Sequence, residues 1–232
     1  MSPYEKAWQA VRQRIGEAAR AAGRDPATVR LLAVSKSMPA EAIRAVHALG
    51  QRAFGENYVQ EAAAKMTALA DLRDIEWHLI GPLQGNKARA AAARFAWVET
   101  IDRLTVAERL SATRDAQQDP LEVCVQVNIS AEATKHGIEP DQALALARSI
   151  AVLPRLVLRG FMGVAAPAVD AARQRAQFRL LREMLAAARA EGLILDTLSM
   201  GMSDDLEGAI AEGATQVRVG SALFGARPRS MR

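Results

Sequence analysis

Cysteine is almost absent: Cys124 is the only one among 232 residues. One thiol cannot close an internal bridge. That excludes a disulfide-stapled mini-protein and makes a reducing compartment, the cytoplasm, the expected setting. Aromatic residues make up only 4% of the chain, too few to supply rings for stacking single-stranded nucleic acid. No apolar run approaches the roughly 18 residues of a membrane helix. The opening Met1-Ser2-Pro3-Tyr4-Glu5-Lys6 lacks the basic-then-apolar layout of a secretory leader, so none is expected. A dominant charge is missing too. Lys and Arg number 30 against 26 Asp and Glu, a net +4. The pI is about 9.6, yet the arginines lie scattered among Glu and Asp. That pattern fits solvated mixed-charge helices better than a nucleic-acid footprint. Neither nucleic acid nor a membrane is an expected partner.

What is present is globular: half the residues are hydrophobic and 24% are charged. Positions 3–22 read as an amphipathic helix, with Trp8, Val11 and Ile15 at helical spacing and Gly23 and Pro26 ending it. Strand-like runs follow at 31–35, 52–55, 76–81, 97–100, 122–128, 156–161, 197–199 and 216–220. Several are continuously apolar, as strands buried on both faces are. Helical stretches separate them at 39–49, 58–69, 86–93, 105–116, 140–152, 170–191 and 204–212. Strict alternation implies right-handed crossovers and a parallel sheet. Eight such units, with the first helix closing the ring, predict an α/β fold: a single (β/α)8 TIM barrel spanning 1–232 as one domain.

Barrels of this kind carry their sites at the C-terminal ends of the strands. Polar residues and glycines concentrate there: Lys36 after the first strand, Gly55-Glu56-Asn57 after the second, and His78 then Gly81 at the third. Ser199 to Asp204 follow the seventh strand, and Arg218 with Gly220-Ser221 closes the eighth.

Lys36 follows an apolar strand directly. Desolvation lowers an amine's pKa and lets it attack a carbonyl; the alternative is a lysine running its stem out to water. Ser203 precedes Asp204-Asp205-Leu206 as a helix cap does, and free N–H groups behind a cap suit an anion. Plain capping explains it equally. Gly220 lets backbone approach a phosphate closely, or simply makes a turn. Loops after the seventh and eighth strands are a recurring phosphate site in barrels. A carbonyl-reactive lysine together with a phosphate cradle is what pyridoxal 5'-phosphate requires. Arg218 stays protonated, so beside a pyridine nitrogen it would donate and leave that nitrogen unprotonated. Its alternative is a rim ion pair with Glu207 or Glu212. Both Arg218 and Ser203 read as rim residues whose replacement leaves the fold intact.

The segments Leu31–Lys36, Phe54–Tyr58, Trp77–Lys87, Gly160–Gly163, Leu198–Asp204 and Val217–Gly225 resemble the pyridoxal phosphate homeostasis proteins, in order and over nearly the whole chain. The resemblance implies a barrel similar to the N-terminal domain of alanine racemase. It implies that Lys36 carries the cofactor as a Schiff base and that Arg218 meets the pyridine nitrogen. Ser203, Gly220 and Ser221 would hold the phosphate, with Ser199 nearby. Asn57 would lie at the mouth and His78 close to it.

The expected function is to carry and buffer pyridoxal phosphate without strong turnover, with cofactor-free enzymes as recipients and a monomer as the working unit. A two-base racemase needs a second acid/base opposite the cofactor, and the chain stops shortly after its eighth strand. No catalytic residue and no metal ligand is therefore assigned. The competing enzyme reading is a low-activity amino-acid racemase using His78 or Lys135. A third reading is a nucleic-acid-binding or scaffold protein exploiting the basic pI. His47 and His136 form no metal spacing, and Cys124 reads as a small buried apolar residue.

Overall fold

The computed structural model describes residues 2–130, 132, 136–166 and 170–225. The chain opens on α1 (Pro3–Ala21). Ser2 caps it, accepting from the Glu5 N–H while the Glu5 carboxylate accepts from the Ser2 N–H, and Pro3 supplies a preset φ at the first turn. Val11, Ile15 and Ala19 recur every fourth residue and are buried.

Eight strands follow: β1 (Arg30–Val34), β2 (Ala53–Glu56), β3 (Glu76–Leu79), β4 (Trp97–Ile101), β5 (Leu121–Val127), β6 (Leu156–Gly163), β7 (Thr197–Ser199) and β8 (Gln216–Val219). Between and after them lie α2 (Ala40–Ala48), α3 (Val59–Ala68), α4 (Ala88–Arg94), α5 (Leu104–Thr113), α6 (Pro140–Ala151), α7 (Ala171–Ala190), α8 (Leu206–Ala211) and the short α9 (Ser221–Phe224). Strand order runs β1 to β8 and closes on itself. The closing pair is parallel, with Leu32 opposite Arg218. The predicted (β/α)8 barrel is the observed fold.

Two cores stabilise it. The larger lies between the barrel wall and the helices. Phe54, Phe95, Phe161 and Phe178 are fully buried in it, each worth about 1.5–3 kcal/mol of apolar transfer. The smaller, inside the barrel, holds Trp97, Cys124 and Met162. Burial pushes the Cys124 thiol well above its ordinary value, so it packs as an inert apolar group.

Polar and charged side chains share the barrel interior with these and with Leu32, which lies opposite Arg218. Glu99 of β4 hydrogen-bonds Ser199 of β7 and Gln216 of β8. Side chains from strands so far apart in the ring meet only across its inside.

Two local expectations are corrected. The helix predicted from 204 starts at Leu206, and its cap residue is Asp205, which makes no side-chain cap bond. Ser203 is therefore in the preceding turn and is not the cap. The 216–220 strand ends at Val219, and Gly220 instead precedes the first turn of α9.

Candidate functional site

Each strand delivers one loop to the same end of the barrel, and the segments that follow every strand but β4 line a cavity of about 520 Å³. That is the size of a small-molecule site. Lys36, Asn57, Ser203, Arg218, Gly220 and Ser221 all line it. The structure thus brings together six of the eight residues proposed from the sequence.

Lys36 lies in the turn after β1, half-buried. That turn is clamped from behind. Ser37 adopts a left-handed φ of 62°, uncommon for a residue with a side chain. Its N–H donates to Glu61 at 2.6 Å. The Ser35 hydroxyl donates to Glu56 at 2.6 Å. The Lys65 ammonium donates to the Ser35 carbonyl, to Glu56 and to Glu61 at 2.7–2.8 Å. Burial pushes the Glu56 carboxyl up, against the pull of Lys65 and Ser35. A buried ion pair thus fixes the backbone that aims Lys36.

Asn57 follows β2 and is held by a glycine. A Cβ at Gly81 would sit 2.1 Å from the Asn57 carbonyl oxygen, so only glycine lets the third loop pass. On the opposite side, Gly201 turns the chain after β7 at φ 92°. The Asp205 carboxylate then accepts from the Met202 N–H. The Ser203 hydroxyl accepts from the Ala222 N–H at 3.4 Å, tying the last two loops together. Ser221 opens α9 behind Gly220, so backbone N–H groups and two hydroxyls edge the cavity here. A phosphate suits that donor set.

Arg218 is corrected from rim to interior. It is 5% exposed. Its guanidinium donates to the Ser199 hydroxyl and the Gly163 carbonyl, both at 2.8 Å, and also to the Ser199 carbonyl. Three of its five donors are so used. The alternative ion pairs are made by others: Glu207 binds Arg14, and Glu212 binds Arg175, Arg179 and Arg182.

Ser199 and His78 sit one layer deeper, outside the lining. Both are fully buried. His78 faces Glu99 through Nδ1 and Glu76 through Nε2, each at 2.6 Å, and stacks on Trp97 with ring centroids 5.0 Å apart. Neither ring nitrogen is directed at the cavity. Lys135 lies outside the described residues. Sequence reasoning missed Gln126 and Phe224, which line the cavity. Gln126 was detectable as a polar residue two positions after Cys124, on a strand whose only other polar residue is Glu122. Phe224 gave no signal beyond its helix.

Among the described residues, no helix is long and apolar enough to cross a membrane. Nor does any group of three His, Cys, Asp or Glu side chains among them converge as a metal site.

A closed parallel barrel whose mouth cavity is lined by a lysine and edged by serine and glycine defines a class: (β/α)8 barrels with a small-molecule cavity at the C-terminal ends of their strands. The chain belongs to the alanine racemase N-terminal domain family, whose model matches residues 8–228, and within it to the pyridoxal phosphate homeostasis proteins. It is 58% identical to the pyridoxal phosphate homeostasis protein of Pseudomonas aeruginosa, over 94% of this chain and 93% of that one. It is 48% identical to the protein of the same name from Escherichia coli K12, over 95% of each. The structure of PipY from Synechococcus elongatus with pyridoxal phosphate bound superposes with a TM-score of 0.79 at 41% identity, over 91% of this chain and 100% of that one.

Proposed function

We propose that this chain binds pyridoxal 5'-phosphate in the mouth cavity through Lys36, and holds and releases it as part of the cell's handling of that cofactor. The observation that carries the reading is the gathering of Lys36 and the Ser203–Gly220–Ser221 edge around one cavity. When bound, the cofactor supplies an aldehyde that an uncharged amine joins with loss of one water, and hydrolysis reverses the step. Ser203, Gly220 and Ser221 hold the phosphate. Arg218 presents its remaining donors to the ring, and Asn57 stands at the opening. The names of the relatives and the cofactor seen in PipY support this assignment.

Turnover is weak in this reading. A racemase needs a second base at the cavity, and His78 has both ring nitrogens committed to carboxylates below it. The chain works as one pyridoxal-phosphate-binding barrel, as a monomer in the cytoplasm, and cofactor-free enzymes are its recipients.

An absorbance titration tests the core of this. Adding pyridoxal phosphate to the purified protein should raise a band that Lys36→Ala abolishes. A wild-type protein that shows no such band, or a variant that keeps it, would overturn the assignment. Rapid α-deuterium exchange on amino acids in heavy water, lost in Lys36→Ala, would favour the racemase instead.

A further inference from the structure

Parallel barrels usually fill their interior with branched apolar side chains. This one threads a chain of polar and charged side chains through it. The Arg218 guanidinium donates to the Ser199 hydroxyl at 2.8 Å. Ser199 donates in turn to Glu99 at 2.5 Å. Glu99 faces His78, His78 faces Glu76, and Glu76 pairs with Arg30 at 2.7 Å at the far end of the barrel. Of this chain, the function proposed above uses only Arg218.

Glu99 is the hub. It is fully buried and meets three partners: His78 at 2.6 Å, Ser199 at 2.5 Å and Gln216 at 2.8 Å. A buried carboxylate is costly unless paired and hydrogen-bonded. Burial does oppose its ionisation. The His78 bond, the charges of His78 and Arg218 and the Ser199 bond outweigh that and hold the carboxyl below its ordinary value. Glu99 also decides which way the Ser199 hydroxyl points. Ser199 has one O–H, and giving it to Glu99 turns the lone pairs toward Arg218 and Gln216. The guanidinium is thereby met by an acceptor backed by a negative charge.

We propose that Glu99 is a positioning residue for the cavity. It never touches a bound molecule, but it fixes the orientation of Arg218 through Ser199 and supplies the charge that balances Arg218 in the interior. The effect on the cofactor rests on the pyridoxal phosphate reading above; the effect on Arg218 does not.

The experiment compares wild type with Glu99→Gln, Glu99→Asp, Arg218→Gln and the double variant Glu99→Gln/Arg218→Gln, each checked for fold by circular dichroism. In the cofactor-free chain, the guanidinium protons of Arg218 should exchange with water about tenfold faster in Glu99→Gln, the size of one lost charge-assisted contact. Pyridoxal phosphate affinity should fall by about tenfold in Glu99→Gln and its absorbance maximum should move. Glu99→Gln should add no further loss in the Arg218→Gln background, because residues acting through one another are not additive. Should Glu99→Gln fail to fold, Glu99→Asp keeps the charge but withdraws it from Ser199, and a roughly threefold loss of affinity is expected. Unchanged guanidinium exchange and affinity in a folded Glu99 variant would overturn the proposal. So would equal losses with and without Arg218. A wild type that binds no pyridoxal phosphate would overturn only the cofactor reading, and the exchange measurement would still decide the role of Glu99.

Discussion

The Lys36 turn shows how one residue's chemistry depends on others that never reach the cavity. Lys65 donates to Glu56, Glu61 and the Ser35 carbonyl together. Lys65→Met keeps the stem and removes the charge, leaving Glu56 buried without its partner. Breaking a buried pair in this way costs about 3–5 kcal/mol, so thermal unfolding should come at clearly lower temperature. The pH dependence has a definite sign. Burial already raises the Glu56 carboxyl above its ordinary value, and loss of Lys65 raises it further. A group raised in the folded state contributes stability at low pH and loses it as pH rises. The deficit of Lys65→Met should therefore be largest near neutral pH and shrink on acidification. Pyridoxal phosphate affinity should drop as well, since the loosened turn no longer aims Lys36. A variant that melts and binds like wild type would show that the ion pair does not hold the turn.

The loops depend on close backbone passage. Gly81→Ala would place a methyl 2.1 Å from the Asn57 carbonyl oxygen. Backbone there must shift, at about 1–3 kcal/mol as overpacking costs elsewhere. The third loop and Asn57 should move apart. We expect a modest fall in melting temperature and a larger proportional loss of pyridoxal phosphate binding, read by the same titration; unchanged binding would remove Asn57 from the site. Most of the elements were legible beforehand. Strands such as Arg30–Val34 are buried on both faces and stand out as apolar runs, and long helices such as Ala171–Ala190 carry clear periodicity. The start of α8 was not legible. Asp204 and Asp205 mimic a first helical turn, yet Asp205 bonds the Met202 N–H and holds a turn open instead. The deeper part of the site was hidden for another reason. Glu99 and Gln216 are 117 positions apart in sequence. Nothing local marks them as partners until the barrel closes.

At the scale of the whole molecule, a charged interior makes the barrel sensitive to acid. Glu99 and Glu76 both lie below their ordinary value of 4.5, because the opposing push of burial is outweighed by His78 and its neighbours. A carboxyl depressed in the folded state contributes stability above its unfolded value and loses it as pH falls through the folded one. Glu56, Glu122 and Asp205 are raised by burial and act in the opposite sense, while Asp196 and Glu212, held low by arginines against the push of burial, act with Glu99 and Glu76. Melting temperature at fixed ionic strength should hold near neutral pH and then fall between about pH 5 and pH 2. Glu99→Gln tests the origin of that fall. It should melt below wild type at pH 7, where the native carboxylate contributes fully. The gap should narrow as the solution is acidified, because protonation then takes from wild type what the substitution took from the variant. A gap of constant size across that range would mean that Glu99 is uncharged in the fold, and that the polar chain through the barrel is held by hydrogen bonds alone.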